Sequence, residues 1–235
     1  MLVLVDERVS AEMLSALRQK GFEPILLPPA PGLQTGVSSH ADMLLFMGFG
    51  RLFCHASYYE DNKKLISRIC DEAGLELALS DEKWTKEYPS DVLFNACLLR
   101  NRLICNKKTV SSLILSAAQE NGCEIINVPQ GYTKCSICPV SDTAIITADK
   151  AIAKTCQNCG FDVLLISEGH VSLPPYDFGF IGGAGGISCD TVYFCGNVDL
   201  HPDAHIIKEF CQKHGKTVVS LSNGELFDVG SLFFT

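Results

Sequence analysis

The sequence has no apolar run close to the roughly 20 residues that a membrane-spanning helix requires. Its first residues, MLVLVDE, are too few and too poor in Lys and Arg for a secretory signal. Basic residues are also scarce, with 19 Lys and Arg against 27 Asp and Glu and a formal net charge of -8. A chain that binds nucleic acid normally presents a basic face. We therefore expect a protein that binds neither membrane nor nucleic acid, and its mild acidity suits a cationic ligand.

Several motifs of common enzymes are missing as well. There is no Gly-x-Ser-x-Gly turn and no phosphate-binding loop. The glycine-rich stretch from Gly182 to Gly186 does not fit the dinucleotide fingerprint, because no helix pattern opens directly after it. We interpret this stretch as a strand where the backbone closely approaches a ligand or another strand. The sequence therefore predicts no cofactor.

Cysteine, by contrast, is abundant, with 12 residues in the chain. Without a secretory signal, this number indicates free thiols in a reducing compartment, and we expect a cytoplasmic protein. Most free cysteines behave as small buried hydrophobic residues. Cys70, Cys156 and Cys211 occupy the same position of three helix patterns, which predicts that they lie in the core.

The most informative pattern is a repeat of about 48 residues. Five times, an amphipathic helix pattern ends at a glycine and is followed by a short apolar strand pattern. Glycine just past a helix end accepts the left-handed conformation that closes the last turn. The five glycines are Gly21, Gly74, Gly122, Gly160 and Gly215.

Two short apolar segments precede each helix pattern, but one pair is divided between the chain ends, where ELFDVGSLFF closes the sequence and MLVLVD opens it. Five strand–strand–helix–strand units whose first and last parts complete each other predict a closed ring. A doubly wound open sheet would explain the alternation of helices and strands but not the divided unit. We predict an α/β fold, a closed propeller of five pseudosymmetric ββαβ units, formed as a single domain by residues 1–235.

The segment 131–149 is the strongest candidate for a catalytic segment. It places Cys135 and Cys138 between a turn and the apolar strand pattern at 144–147. A thiol at a strand end beside a loop can meet a substrate, so Cys135 is the best candidate nucleophile. The neighbouring Lys134 is placed to lower the pKa of this thiol. The alternative is that Cys135 is a small buried hydrophobic residue.

A ring of five such units resembles the pentein fold of the guanidino-group-modifying enzymes, which include arginine deiminase, agmatine deiminase and dimethylarginine dimethylaminohydrolase. The segment His40–Asp42 is similar to the His-x-Asp motif of that superfamily. The segment Cys135–Pro139 is similar to its nucleophile motif and lies two units after the histidine, as in the superfamily. Asp228 stands where the superfamily carries a substrate-binding carboxylate. The resemblance points to a little-characterised bacterial branch.

The resemblance implies a cysteine-dependent hydrolase or amidinotransferase that acts on a guanidine-like C–N bond of a small cationic substrate. Cys135 would attack the amidine carbon and form a covalent thiouronium intermediate. His40 would protonate the leaving amine and later activate water. Asp42 and Asp228 would bind N–H groups or orient the histidine.

Two departures from the superfamily pattern have structural consequences. Cys135 lies in the middle of the chain rather than near its C-terminus, so the order of the units is rotated. A second carboxylate of the superfamily would fall near Gly182 and Gly183, where no acid stands. We still expect these two glycines to contribute to substrate binding, because their backbone can approach a ligand closely.

Two other functions fit the sequence. The first is a zinc-stabilised domain, because two Cys-x-x-Cys pairs have the spacing of a four-thiolate site, namely Cys135, Cys138, Cys156 and Cys159. Against it, Cys156 falls on a predicted core position, and a strand and a helix separate the pairs. The second is a non-catalytic ring that binds a protein or a small ligand, as a ribosome anti-association factor of the same fold does. The sequence leaves the oligomeric state open.

Overall fold

The structure is a computed structural model that describes residues 1–235, and it contains fifteen strands and eight α-helices. The strands are β1 (Leu2–Asp6), β2 (Glu23–Leu27), β3 (Leu45–Gly48), β4 (Arg51–His55), β5 (Glu76–Ser80), β6 (Cys97–Leu99), β7 (Arg102–Cys105), β8 (Glu124–Asn127), β9 (Cys138–Ser141), β10 (Ala144–Thr147), β11 (Asp162–Leu165), β12 (Gly185–Ser188), β13 (Thr191–Phe194), β14 (Thr217–Ser220) and β15 (Phe233–Phe234). The helices are α1 (Ala11–Gln19), α2 (Ala41–Leu44), α3 (Ala56–Asp61), α4 (Lys63–Ala73), α5 (Ser112–Glu120), α6 (Thr133–Ser136), α7 (Lys150–Asn158) and α8 (Ala204–Lys213), with a 3-10 turn at Val198–Leu200. None of the helices combines the length and the apolar character needed to cross a membrane.

Every sheet has three strands and the same connectivity. The first two strands of a unit pair antiparallel, and the second pairs parallel with the third across an intervening helix. The five sheets are β15-β1-β2, β3-β4-β5, β6-β7-β8, β9-β10-β11 and β12-β13-β14. The predicted ββαβ unit is confirmed, and a doubly wound sheet is excluded because no sheet exceeds three strands.

Both ends of the chain complete the divided unit. β15 pairs antiparallel with β1, where Val3 faces Phe234 and Leu4 faces Phe233. The Thr235 amide also donates a hydrogen bond to the Leu2 carbonyl at 3.2 Å. Neighbouring units pack against each other, as β12 does with both β9 and β15. The chain therefore folds as the predicted α/β propeller of five units.

The outer helices end in the same way in every unit. The five predicted glycines have φ angles between +61° and +85°. In each unit, the amide that follows the glycine donates to the carbonyl four residues before the glycine, as Leu75 does to Cys70 at 2.9 Å. This hydrogen bond is the six-residue closure of a Schellman motif. The accepting residue is buried in every unit, which confirms the predicted core position of three cysteines: Leu17, Cys70, Ala118, Cys156 and Cys211.

Five inner segments, one leading into the first strand of each unit, carry many of the buried polar side chains. We call these segments, 38–44, 91–96, 132–137, 180–184 and 228–232, the inner ring. A circuit of hydrogen bonds joins each of them to the next. The bonds are Asp42 N to Gly230 O (3.0 Å), Ser231 N to Gly183 O (2.8 Å), Gly183 N to Cys135 O (2.9 Å), Lys134 N to Asn95 Oδ1 (2.7 Å) and Asn95 Nδ2 to Asp42 O (3.1 Å).

This circuit explains how residues far apart in the sequence reach one place. Each inner segment satisfies its backbone polar groups with the neighbouring segment, because a buried amide or carbonyl without a partner is costly. The inner ring therefore positions side chains from all five units around a common centre.

Candidate active site

Cys135 lies in α6, a single helical turn that ends just before β9. We expected a position at a strand end beside a loop, and the structure places the thiol in this turn instead, next to the first strand of its unit. The side chain is only 3% exposed. The Asn95 amide fixes its position, because Nδ2 donates to the Cys135 sulfur at 3.0 Å while Oδ1 accepts from the Cys135 amide at 3.2 Å.

The Cys135 thiol is held in its neutral form. Burial raises its pKa well above the ordinary value, and the carboxylates of Asp42 and Asp228 raise it further. The pKa is thus raised, and Lys134, which we expected to lower it, is not among the groups that dominate it. The ammonium of Lys134 instead donates to Ser231 Oγ at 2.8 Å and lines a different cavity, beside Phe233.

His40 is the residue directly before α2, where its side chain makes no capping hydrogen bond, and it is 1% exposed. Its ring lies between two carboxylates, with Nε2 at 3.4 Å from Asp6 Oδ2 and Nδ1 at 3.8 Å from Asp228 Oδ1. Neither ring nitrogen makes a hydrogen bond. Both nitrogens are therefore available to a ligand or to a proton transfer.

Asp6 is anchored by a cation on its other side. The guanidinium of Arg8 donates to both carboxylate oxygens, with Nη2 at 2.6 Å from Oδ2, and Ser39 Oγ donates to Oδ1 at 2.9 Å. Burial works against ionisation of Asp6, but the hydrogen bonds from Arg8 and the nearby His40 outweigh it and lower the pKa of Asp6. Asp6 is thus a fixed negative charge next to the imidazole.

Asp228 is completely enclosed by the inner ring. Its Oδ2 accepts from the Phe180 amide at 2.8 Å, and its Oδ1 accepts from the Gly230 amide at 2.9 Å. Burial raises the pKa of this carboxyl, and Asp42 raises it further, although His40 acts in the opposite direction. A cation placed beside Asp228 would remove this unfavourable charge burial.

Asp42 is buried one residue away from the α2 N-terminus. Its Oδ2 accepts a hydrogen bond from Ser231 Oγ at 2.7 Å, whereas its Oδ1 has no partner. The Asp42 carboxylate lies near enough to Cys135 to raise the pKa of the thiol. A buried carboxylate oxygen without a partner is costly unless a donor occupies the site during function.

A cavity of about 220 Å³ brings the sequence-predicted residues together. Cys135, His40 and Asp228 all line it, whereas Asp42 lies outside the lining. The remaining lining residues are Gln34, Val37, Met43, Asp91, Tyr132, Leu173, Tyr176, Phe178 and Phe180. The cavity thus combines a thiol, an imidazole and two carboxylates with aromatic and aliphatic walls.

Comparison with known sequences assigns the chain to a family. A sequence profile described as a family of unknown function (DUF6873) matches residues 4–233. The chain belongs to this family. A search of curated proteins gave no match.

Solved structures with a similar fold show that this DUF6873 chain has the pentein fold. Dimethylarginine dimethylaminohydrolase from Pseudomonas aeruginosa, a cysteine-to-serine mutant complexed with citrulline, has a TM-score of 0.59 and 8% identity over 94% of this chain and 91% of that chain. Agmatine deiminase from C. jejuni has a TM-score of 0.56 and 9% identity, covering 94% and 87%. The N-terminal domain of ArgZ, a cyanobacterial arginine dihydrolase in a substrate-bound mutant, has a TM-score of 0.56 and 13% identity, covering 93% and 90%.

Gly182 and Gly183 do not line the cavity of the DUF6873 chain. A Cβ at Gly183 would lie 2.0 Å from Asp228 Oδ1, and one at Gly182 would lie 2.3 Å from the Ile137 carbonyl oxygen. The two glycines thus allow the inner segments to pack against each other and against the carboxylate. The expected close backbone approach is present, but it is made to the protein itself and not to the cavity.

Three polar residues of the site were not identified from the sequence. Asp6 ends β1, Asn95 binds the Cys135 sulfur, and Asp91 lines the cavity. Asp91 and Asn95 lie in DVLFNA, the segment that leads into β6. Their place at the head of a unit is the signal that could have revealed them, since His40 and Cys135 occupy the same place in their units.

The four thiols of the alternative zinc site are not brought together. Cys135, Cys138 and Cys156 pack in three different hydrophobic clusters, and Cys159 packs beside Cys156 at the end of α7. Burial raises the pKa of Cys138 and of Cys156 to about 12, as expected for core thiols. No group of three or more His, Cys, Asp or Glu side chains is arranged to hold a metal ion.

A neighbouring cavity of about 280 Å³ shares Phe178 and Phe180 with the first one and is lined on its far side by His170 and His201. It is larger, but Cys135 does not line it. We therefore place the candidate chemistry in the smaller cavity, where the thiol, the imidazole and the carboxylates meet.

Proposed function

We propose that this chain is an enzyme that uses Cys135 to cleave a C–N bond of a guanidine-like cation, as a hydrolase or an amidinotransferase. The observation that carries the proposal is the convergence of Cys135, His40 and Asp228 on one buried cavity. Solved structures of similar fold include agmatine deiminase, arginine dihydrolase and an amidinotransferase, and they support this class of reaction.

The carboxylates are suited to hold the planar cation. An amidinium group donates paired hydrogen bonds, and a carboxylate has about four acceptor sites on its two oxygens. Each Asp228 oxygen accepts one backbone amide, so each keeps room for a second donor. We assign Asp228, which lines the cavity, to binding of the substrate N–H groups. Asp42 lies outside the lining and acts on the charge state of the Cys135 thiol.

Binding of the cation also activates the nucleophile. Burial, together with the carboxylates of Asp42 and Asp228, raises the pKa of the Cys135 thiol and keeps it protonated. A positive charge bound beside Asp228 offsets the effect of the carboxylates and favours the thiolate, which is the nucleophilic form. The Asn95 amide, which already donates to the sulfur at 3.0 Å, then stabilises the thiolate. The enzyme is therefore reactive mainly when a cation is bound.

The reaction proceeds in two steps. The Cys135 thiolate forms a C–S bond to the amidine carbon, and the C–N bond to the leaving amine breaks as His40 donates a proton to that nitrogen. The product of this step is a positively charged thiouronium group on Cys135. His40 then takes a proton from water or from an acceptor amine, which attacks the carbon, and the C–S bond breaks to regenerate the thiolate. Attack by water gives hydrolysis, and attack by an amine gives amidine transfer.

The test is a comparison of two alkylating reagents, because one is a cation of the expected shape and the other is neutral. Chloroacetamidine, an amidinium that loses chloride to a thiolate, is expected to label Cys135 at neutral pH. Iodoacetamide is expected to label the exposed Cys189 first. His40→Ala is expected to slow turnover of a guanidine substrate by about 100-fold, because it removes the acid that protonates the leaving amine. The matched control is His205→Ala, since His205 lies on the exposed face of α8 and pairs with Glu209.

Slow and uniform labelling of all thiols by both reagents would contradict the proposal. The low exposure and raised pKa of Cys135 would then describe a structural residue, and a non-catalytic ring that binds a small ligand or a protein would be the better account.

A further inference from the structure

A chain of two hydrogen bonds links Lys134 to Asp42 through a buried hydroxyl. The Lys134 ammonium donates to Ser231 Oγ at 2.8 Å, and Ser231 Oγ donates to Asp42 Oδ2 at 2.7 Å. The Gly182 carbonyl oxygen lies 2.9 Å from the same hydroxyl, but the charged carboxylate is the stronger acceptor for its single proton. Opposite charges at the two ends polarise the hydroxyl and strengthen both bonds. We call Lys134, Ser231 and Asp42 the lysine relay.

The backbone holds Ser231 in an unusual conformation at the middle of this relay. Ser231 is fully buried and has a φ of +71°, which residues other than glycine rarely adopt. Its amide donates to the Gly183 carbonyl at 2.8 Å, which anchors it in the inner ring. Strained backbone of this kind persists where the surrounding structure requires it, and it is frequent at functional sites. The fold therefore fixes the position of the hydroxyl.

Lys134 reaches the relay from outside the catalytic cavity. It lines a cavity of about 160 Å³ that shares no lining residue with the catalytic one. Besides its bond to Ser231, the ammonium lies 3.5 Å from the Gly182 carbonyl oxygen and 5.9 Å from the centre of the Phe233 ring. Lys134 therefore brings a positive charge toward Asp42 without occupying the space that a substrate would fill.

The proposed reaction calls for a positive charge at Asp42. Deprotonation of Cys135 places a thiolate near the carboxylates of Asp42 and Asp228, and both of them raise the pKa of the thiol. A cationic substrate lies against Asp228, which lines the cavity, whereas Asp42 lies outside the lining. Because the interaction of charges weakens with distance, the substrate offsets the charge of Asp228 more than that of Asp42. Lys134 is the cation that the protein itself connects to Asp42.

We propose that Lys134 is a positioning residue of the reaction, which acts through the Ser231 hydroxyl to offset the charge of Asp42 and so favours the Cys135 thiolate once a cation is bound. The effect does not come from the adjacency of Lys134 to Cys135 in the sequence, because the hydrogen bonds run through Ser231 and Asp42. This inference rests on the proposed function, since it names a residue that assists the same nucleophile.

Other ionisable groups also face Cys135, and they remain in every variant of the test. Besides Asp42, the groups that line the cavity with the thiol are His40, Asp91, Tyr132 and Asp228. Arg8 acts in turn on Asp228, and the Asn95 amide donates to the sulfur without carrying a charge. The Lys134 ammonium donates to none of these side chains. A change in the relay therefore alters the surroundings of the thiol on the Asp42 side.

The experiment measures the rate at which chloroacetamidine labels Cys135, from neutral pH up to the pH at which the rate becomes constant. Lys134→Met removes the charge and keeps an unbranched side chain. We expect the midpoint of its profile to rise by about 1 pH unit, which is about 10-fold slower labelling below the midpoint. Lys134→Arg keeps the charge and should restore most of this shift. The matched control is Lys213→Met, which removes an exposed lysine that pairs with Asp162 at 2.6 Å, and its midpoint should not move.

A second variant tests the path of the effect. Ser231→Ala removes the hydroxyl and leaves Lys134 in place, and we expect its midpoint to rise as well. Because residues of one hydrogen-bond network are not additive, the double variant should shift the midpoint no further than the larger of the two single shifts. If Lys134→Met does not fold, Ser231→Ala decides the question by itself, since an unchanged midpoint would overturn the relay.

The outcomes separate this inference from the proposed function. If chloroacetamidine shows no preference for Cys135 in the unchanged protein, the proposed function fails, and the role of Lys134 falls with it. If Cys135 is labelled selectively but Lys134→Met leaves the midpoint where it was, only the relay is overturned. The same holds if Lys134→Met lowers the rate equally at every pH, because Lys134 would then be a structural residue. Additive shifts in the double variant would overturn the path through Ser231.

Discussion

The outer and inner layers of the ring use the fivefold repeat in opposite ways. In the outer layer, all five helices end with the same glycine conformation, the same hydrogen bond and a buried residue at the same position. In the inner ring, hydrogen bonds join each of the five segments to the next, but the segments carry different side chains, such as His40, Asn95, Cys135 and Asp228. The repeated backbone thus places a different set of functional side chains in each unit. Changes in the outer layer should alter stability, and changes in the inner ring should alter reactivity.

The largest expected effect is a difference in turnover between variants of two buried cysteines, one in the inner ring and one in the outer layer. Cys135→Ala removes the proposed nucleophile and is expected to reduce turnover of a guanidine substrate by more than about 1,000-fold, with little change in unfolding free energy. Cys211→Ala, in the core of α8, is expected to cost about 1 kcal/mol of unfolding free energy and to leave turnover near its original value. Turnover assays and urea unfolding of both variants measure the contrast, and equal loss of turnover in both would remove the distinction between the layers.

The next effect compares two glycines. Gly183→Ala places a methyl group at 2.0 Å from Asp228 Oδ1, so either the carboxylate or the backbone must move. We expect a loss of about 1–3 kcal/mol in unfolding free energy and at least about a 10-fold slower labelling of Cys135 by chloroacetamidine. Gly74→Ala meets no atom within 4 Å and suffers only from its φ of +65°, at a cost of about 1–2 kcal/mol. Its labelling rate should not change, and a slower rate would show that the outer turns also control the site.

A smaller effect concerns pH. Burial raises the pKa of the Cys156 thiol from its ordinary value of 9.0 to about 12. The stabilisation from keeping this thiol neutral in the core is therefore complete below pH 9 and is lost as the pH rises toward 12. Over that range, each such thiol should lower the unfolding free energy by about 1.4 kcal/mol per pH unit.

The check on this effect is urea unfolding at neutral pH and in steps above pH 9. Above pH 9, the unfolding free energy of Cys156→Ala should decrease with pH less steeply than that of the unchanged protein. The difference should equal the contribution of one thiol, about 1.4 kcal/mol per pH unit. Cys189→Ala should not show this difference, because Cys189 is exposed and is not part of the core. An unchanged slope in Cys156→Ala would contradict the assignment of this thiol to the core.

The fold could be predicted from the sequence because its signals are local. A glycine after a helix and two apolar segments before it are visible within each unit, and the divided unit supplied the closure. The site could be predicted only where a segment matched a motif, as at His40 and Cys135. Asp91 and Asn95 were missed because their roles depend on the neighbouring inner segments and not on their own. The place of Lys134 could not be predicted for the same reason, since adjacency to Cys135 in sequence does not fix the direction of its side chain, which reaches Ser231.

The antiparallel pairing of β15 with β1 places the two ends of the chain in one sheet, so the order of the units along the chain can be changed without changing the fold. A short linker from Thr235 to Met1 would leave every sheet intact, and new ends could then be opened in any exposed connection between units. Circular permutants of this ring should therefore keep the same centre, and the position of Cys135 along the polypeptide should not determine its position in space.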